Sequence, residues 1–162
     1  DFIFDEKDDI IKLPSSNAIT VRAMSVSACS AAMALKKGAV AVSIAHDSHN
    51  IIVTGASNKD MAAAVEVLDK QKGGMVAILD GQVLAAIPLP IAGLMSDKPA
   101  AEVDAAMDDL YDKARRILGV SADVDVIMTL CFMSLPVIPK LKLLDTGLFD
   151  VEAFDFVPVE LS

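Results

Sequence analysis

Two stretches of the chain read as apolar strands broken by a short polar insert, and each is followed by a run in which apolar residues recur every three or four positions. In the first, residues 39–44 and 51–54 are apolar and rich in β-branched side chains, and they flank His46, Asp47, Ser48, His49 and Asn50. That pattern predicts two strands joined by a polar connection. Ser57 or Asn58 then offers a helix cap, Met61, Ala64, Val65 and Leu68 recur at helical spacing, and Gly73-Gly74 stops the helix. In the second, residues 75–79 and 82–89 flank Asp80-Gly81, a dipeptide that tolerates the positive φ angles of a type I′ hairpin turn. The next helix is expected to be capped by Ser96 or Asp97, with Pro99 in its first turn and Gly119 at its end. Val103, Met107, Leu110, Ala114 and Ile117 would form its buried stripe. Its acids Glu102, Asp104 and Asp108 come early and its bases Lys113, Arg115 and Arg116 late, which suits the helix dipole and reads as a solvated face.

Elsewhere the pattern is weaker. Residues 1–9 read as an acidic lead-in or linker remnant, and residues 10–162 as a single domain. Residues 10–24 suggest two extended segments around a break at Pro14-Ser15-Ser16-Asn17. Residues 25–37, rich in Ala and Ser, suggest a small-residue helix ended by Gly38. Residues 127–135 are apolar without a clear period, which leaves helix and strand open, and a turn follows at Asp145-Thr146-Gly147. Strand pairs each followed by an amphipathic helix predict an α/β (α+β) fold, with a mixed, largely antiparallel sheet built from hairpins and amphipathic helices packed on it.

Composition narrows the function. A chain of 162 residues suits one domain with a real core, whereas a complete barrel enzyme takes about 250. Hydrophobic residues make up 54% and mean hydropathy is +0.51, so part of the apolar surface is expected to meet a partner, with a homo-oligomer as one form of it. No apolar run reaches the roughly 20 residues of a spanning helix, so no membrane role is expected. A net charge of -9 with 4% aromatic residues and no Trp argues against nucleic acid, since a phosphate backbone would be repelled and stacking platforms are lacking. Cys29 and Cys131 lie far apart in apolar surroundings without CxxC spacing, as buried free thiols of a reducing, cytoplasmic protein do. The chain opens on Asp1 without a signal-peptide pattern and is expected to be a fragment or a processed form.

The chemical signal is concentrated in one place. The chain's two histidines, His46 and His49, share a five-residue segment with Asp47, Ser48 and Asn50. Such a set suits metal binding through His46, Asp47 and His49, proton transfer near neutral pH, or hydrogen bonds to the edge of a heterocycle. It equally suits a plain connection whose Asp and Asn bond their own backbone. Pro88 to Ser96 (PLPIAGLMS) predicts a rigid, apolar loop that packs on a neighbour or covers a pocket. The eight methionines read as core filler.

Three stretches, AVAVSIAHDSHNIIVTGASNKDMAAAV, GGMVAILDGQVLAAIPLPIAGLMSD and MTLCFMSLPVIPKLKLLDTGLFDV, resemble in order and spacing the C-terminal domain of bacterial and archaeal adenine deaminases of the amidohydrolase superfamily. The resemblance covers roughly residues 38–158 and leaves residues 10–37 outside it, because the family's basic, His- and Gly-containing segment is replaced here by AITVRAMSVSACSAAMALKKG. It implies hydrolysis of adenine to hypoxanthine and ammonia in adenine catabolism, by water activated at a binuclear manganese or iron centre in an N-terminal barrel. The barrel's ligands are not in this chain, which alone is expected to be inactive. His46, Asp47, Ser48, His49 and Asn50 are the residues expected to face the active site. Two other readings stand beside this one: a structural or oligomerisation module, and a free-standing small-molecule or metal-binding protein that has lost deamination.

Overall fold

The computed structural model describes residues 13–17, 20–26, 33–46, 48–144 and 146–158, the first two segments as backbone alone. The acidic stretch 1–9, Cys29, Asp47 and Asp145 lie outside the described residues.

Strands β1 (Leu13–Asn17), β2 (Thr20–Val26), β3 (Ala39–Val42), β4 (Ile51–Gly55), β5 (Gly74–Leu79) and β6 (Gln82–Pro88) form one sheet in the order β2-β1-β4-β3-β5-β6. Every pairing in it is antiparallel. β3, β4 and most of β5 are buried at every position, because the sheet is covered on both faces and its central strands read as continuous apolar runs. Ala39, Ala41, Val53, Val76 and Ile78 point to one face and pack on Met61, Ala64 and Leu68 of helix α1 (Asn58–Lys70). Val40, Val42, Ile52, Ala77 and Ile87 point to the other. There they meet Leu110 of helix α2 (Ala100–Lys113), Ala114 and Leu118 of the π-helical turn that extends it (Ala114–Leu118), and Ile127 and Leu130 of helix α3 (Val126–Cys131). A small antiparallel sheet of β7 (Leu141–Leu144), β8 (Gly147–Asp150) and β9 (Asp155–Val157) adds Leu143 and Leu148 to the same cluster. Truncating a fully buried leucine such as Leu68 or Leu118 to alanine would cost about 2–5 kcal/mol.

The local signals account for most of these elements. Ser57 caps α1 by accepting from the amide of Asp60 at 3.1 Å. Asp80 and Gly81 take φ angles of 52° and 77°, the turn expected from the dipeptide, and the buried Asp60 carboxylate accepts the Gly81 amide at 2.7 Å. Gly119 ends the second helix in the left-handed region, φ 84°. Of the predicted stripe, Leu110 and Ala114 are buried and Val103, Met107 and Ile117 pack on the same cluster.

Four expectations are corrected. The α2 cap is Pro99, which makes no side-chain cap bond, while the Ser96 hydroxyl is taken by the amide of Lys98 at 3.0 Å. The small-residue helix over 25–37 is not formed in its described parts: Ser25 and Val26 end a strand and residues 33–37 are non-helical. At Ser25 and Val26, which pair with Pro14 and Leu13 of β1, strand pairing outweighs the local helix preference. Pro14 to Asn17 lie within β1 rather than in a turn. Met95 and Met128, read as core filler, are 58% and 52% exposed.

Candidate functional site

The β3–β4 connection leaves the sheet at Ser43, whose side chain is buried and saturated with hydrogen bonds. Its hydroxyl donates to the carbonyl of Gly93 at 2.6 Å and accepts the amide of Gly74 at 2.7 Å. Gly93 belongs to the PLPIAGLMS loop, which is closed on itself by a two-way backbone bridge between Ile91 and Met95 and turns through Ala92 and Gly93 at φ angles of 57° and 73°. Ser43 therefore fixes the start of the polar connection against a second loop some fifty residues away.

The far side of the connection is held by α3 and the turn after it. Asp125 caps α3, accepting the Met128 amide at 2.9 Å, and its carboxylate also receives the phenol of Tyr111 from α2 at 2.5 Å. At the other end of α3 the Cys131 carbonyl accepts the His46 amide at 2.9 Å. The imidazole of His46 stacks on Phe132 with centroids 4.5 Å apart and planes 26° from parallel. Ser48 and the buried Ser134 bring their hydroxyls to 3.3 Å. His49 closes the turn, its amide bonded to the Ala45 carbonyl at 2.8 Å, in the left-handed region at φ 51°. Such a backbone is uncommon for a residue other than Gly, Asn or Asp and marks a turn imposed by its surroundings.

His46, Ser48 and His49 are thus exposed on one connection, Asn50 is buried where the chain re-enters the sheet, and Asp47 lies outside the described residues. Phe132, Ser134 and Ser43 were not marked by the sequence patterns. Phe132 and Ser134 fall in the aperiodic stretch 127–135, and Ser43 depends on a partner remote in sequence. Among the described residues no three His, Cys, Asp or Glu side chains gather as a metal-ligand set, and no metal step is assigned to them.

Burial dominates the shifted groups nearby. It pushes the Cys131 thiol up to about 11, helped by the Asp125 carboxylate, and it raises the Tyr111 phenol, helped by the hydrogen bond to Asp125. Both stay protonated at neutral pH, so neither serves as a nucleophile or base there. A cleft of about 180 Å³ lies next to the PLPIAGLMS loop, between the end of β6 and the start of α2, and is lined by Ile87, Pro88, Ser96, Asp97, Lys98 and Glu102.

The three stretches that carried the resemblance therefore meet at one end of the sheet: the polar connection in the middle, the PLPIAGLMS loop on one side, and α3 with its following turn on the other. The chain is 46% identical to adenine deaminase 2 of Desulfotalea psychrophila over 99% of its own length and 28% of that protein's. Against adenine deaminase 2 of Carboxydothermus hydrogenoformans it is 54% identical over 80% of its length and 22% of the relative's. Against the adenine deaminase of Nitratidesulfovibrio vulgaris it is 51% identical over 77% and 22%. The chain thus spans about a quarter of the length of the curated relatives it matches. The family described as the adenine deaminase C-terminal domain matches residues 2–155, so residues 10–37, left outside the resemblance on sequence pattern, lie within the match. With a match over nearly its whole length, this chain belongs to the adenine deaminase C-terminal domain family.

Proposed function

We propose that this domain is the C-terminal part of an adenine deaminase that hydrolyses adenine to hypoxanthine and ammonia, and that residues 46–50 face the reacting purine at the mouth of an N-terminal barrel. The observation that supports this reading most is the position of the connection: two exposed imidazoles are carried on it, between the two loops that share the family pattern. In this reading a divalent metal, manganese or iron, held by the barrel supplies the activation of water. The residues of this chain bind, orient and exclude solvent. His46, with one ring face covered by Phe132, offers its ring nitrogens to the heteroatoms of a purine, with His49 on the same connection and Asp47 next to His46 in the sequence. Closing such a loop over the base removes water and strengthens every polar contact in the site. The same reading makes the protein cytoplasmic and a homo-oligomer. No helix among the described residues is long and apolar enough to cross a membrane.

The test is made on the full-length polypeptide, following adenine conversion with added manganese. His46→Ala and His49→Asn, the second chosen because Asn tolerates a left-handed backbone, should each lower kcat/KM by about tenfold or more, the scale of one lost contact to the reacting base. Turnover near that of the unsubstituted enzyme in both variants would leave the domain a structural module and end this reading.

A further inference from the structure

Two stretches at the site end of the sheet, residues 88–96 and 126–139, contain no charged residue in a chain that is 23% charged. They nevertheless expose large apolar side chains: Ile91 is 46% exposed, Met95 58%, Met128 52%, Val137 70% and Ile138 40%. Each of these sits a few residues from a contact that pins the polar connection. Ile91 and Met95 bridge the loop whose Gly93 is bonded to Ser43. Met128 lies one turn before Cys131 and Phe132, which hold His46. Val137 and Ile138 follow Ser134, which meets Ser48. The result is two apolar, uncharged pads flanking a polar centre to which each is joined by hydrogen bonds or stacking. Depletion of charge with exposed Met and aliphatic side chains is the mark of an interface core.

We infer that Ile91, Met95, Met128, Val137 and Ile138 form the surface that seats this domain on the N-terminal remainder of its own polypeptide. The occupant follows from length. The relatives continue far beyond the part this chain matches, since it spans 28% and 22% of them, and the surface flanks the polar connection that the proposed function turns toward that remainder. The inference rests on the reading of the chain as the C-terminal part of a deaminase, and its test separates the two.

In the full-length polypeptide, Met95→Lys and Val137→Lys are made singly and together, with Val83→Lys, 48% exposed beside the Asp80-Gly81 turn at the opposite end of the sheet, as the control. Native far-UV circular dichroism is required of each, and Met95→Gln serves if a lysine variant does not fold. The paired substitution should raise proteolytic release of the domain and amide exchange over residues 88–96 and 126–139 by about tenfold or more, while Val83→Lys changes neither. Unchanged release and exchange would overturn the inference. So would dissociation of an oligomer in sedimentation with the domain still protected, which would assign the surface to a second copy. Release of the domain with adenine turnover intact would uphold the docking surface and remove the active-site reading. Loss of turnover in His46→Ala with the lysine variants still docked would do the reverse.

Discussion

The hydroxyl of Ser43 donates to the carbonyl of Gly93 at 2.6 Å, and the Ser43 oxygen accepts the amide of Gly74 at 2.7 Å. One small side chain thereby joins the exit of β3, the entry of β5 and the PLPIAGLMS loop. Ser43 and Gly74 are buried and Gly93 is half-buried, so the hydroxyl satisfies an amide that water cannot reach and a carbonyl that water reaches only in part. Ser43→Ala would leave both unpaired and should cost about 1–3 kcal/mol, read as a fall in melting temperature of a few degrees per kcal/mol. Ser43→Thr, which keeps the oxygen, should lose less. Equal losses in the two variants would mean that packing at this point matters and the hydrogen bonds do not.

Beside that knot the backbone itself is closely approached. Gly73 has φ 101°, and a Cβ there would stand 2.5 Å from the Gly93 Cα. Gly81 also has positive φ, 77°, but the nearest atom to its Cβ would be 3.8 Å away on the flexible Lys59 side chain. Gly81→Ala should therefore cost only the left-handed backbone penalty of about 1–2 kcal/mol. Gly73→Ala adds displacement of the PLPIAGLMS loop and should cost clearly more. Denaturant unfolding of the two variants ranks them, and similar midpoints would refute the close approach.

How much of this was readable beforehand follows the range of the interactions. Asp80-Gly81, Ser57 and Gly119 act within a few residues, and hairpin, cap and helix end stand where those residues predict. The polar cluster from His46 to Asn50 was visible because polar side chains interrupt an apolar run. Its fixing was not, because Ser43–Gly93, His46–Phe132 and Ser48–Ser134 join residues 50 to 86 positions apart. Residues 127–135 gave no period because α3 is only six residues long, with Val126, Ile127, Leu130 and Cys131 buried. At Ser25 and Val26, the start of the Ala- and Ser-rich segment before Gly38, the helix fails for a related reason: helix propensity is a local quantity, while β2 is formed by pairing with β1 and, through it, with β4. Met95 and Met128 were assigned to the core on hydropathy, which cannot separate burial within a domain from exposure on a docking face.

The Cys131 thiol is 5% exposed and its pKa is pushed up to about 11, chiefly by burial and then by the Asp125 carboxylate. At pH 8 its thiolate fraction is about a hundredfold below that of an ordinary cysteine, and alkylation should slow at least in proportion. Peptide mapping after timed iodoacetamide treatment reads Cys131 separately from Cys29. Modification at the rate of the denatured chain would show that the thiol is open to solvent.

Tyr111 gives the clearest dependence on pH. It is the chain's single tyrosine, and Trp is absent, so near-ultraviolet phenolate absorbance reports this residue alone. Burial first, and the hydrogen bond donated to Asp125 at 2.5 Å second, raise its pKa above the ordinary value of 10.0, while Arg115 pulls it the other way. Because the folded value is raised, the native state holds the proton more tightly than the unfolded chain. The resulting stabilisation is complete below about pH 10 and is lost as pH climbs further, through the folded value. The phenolate should accordingly appear only together with alkaline unfolding, whereas Asp125→Asn, which keeps a capping oxygen for α3 but removes the charge, should ionise earlier. Tyr111→Phe should lose about 1 kcal/mol at neutral pH and flatten the alkaline decline. A reversible titration centred near pH 10 in the intact fold would show that the Tyr111–Asp125 bond is not maintained in solution, and with it the link from α2 through the α3 cap toward His46.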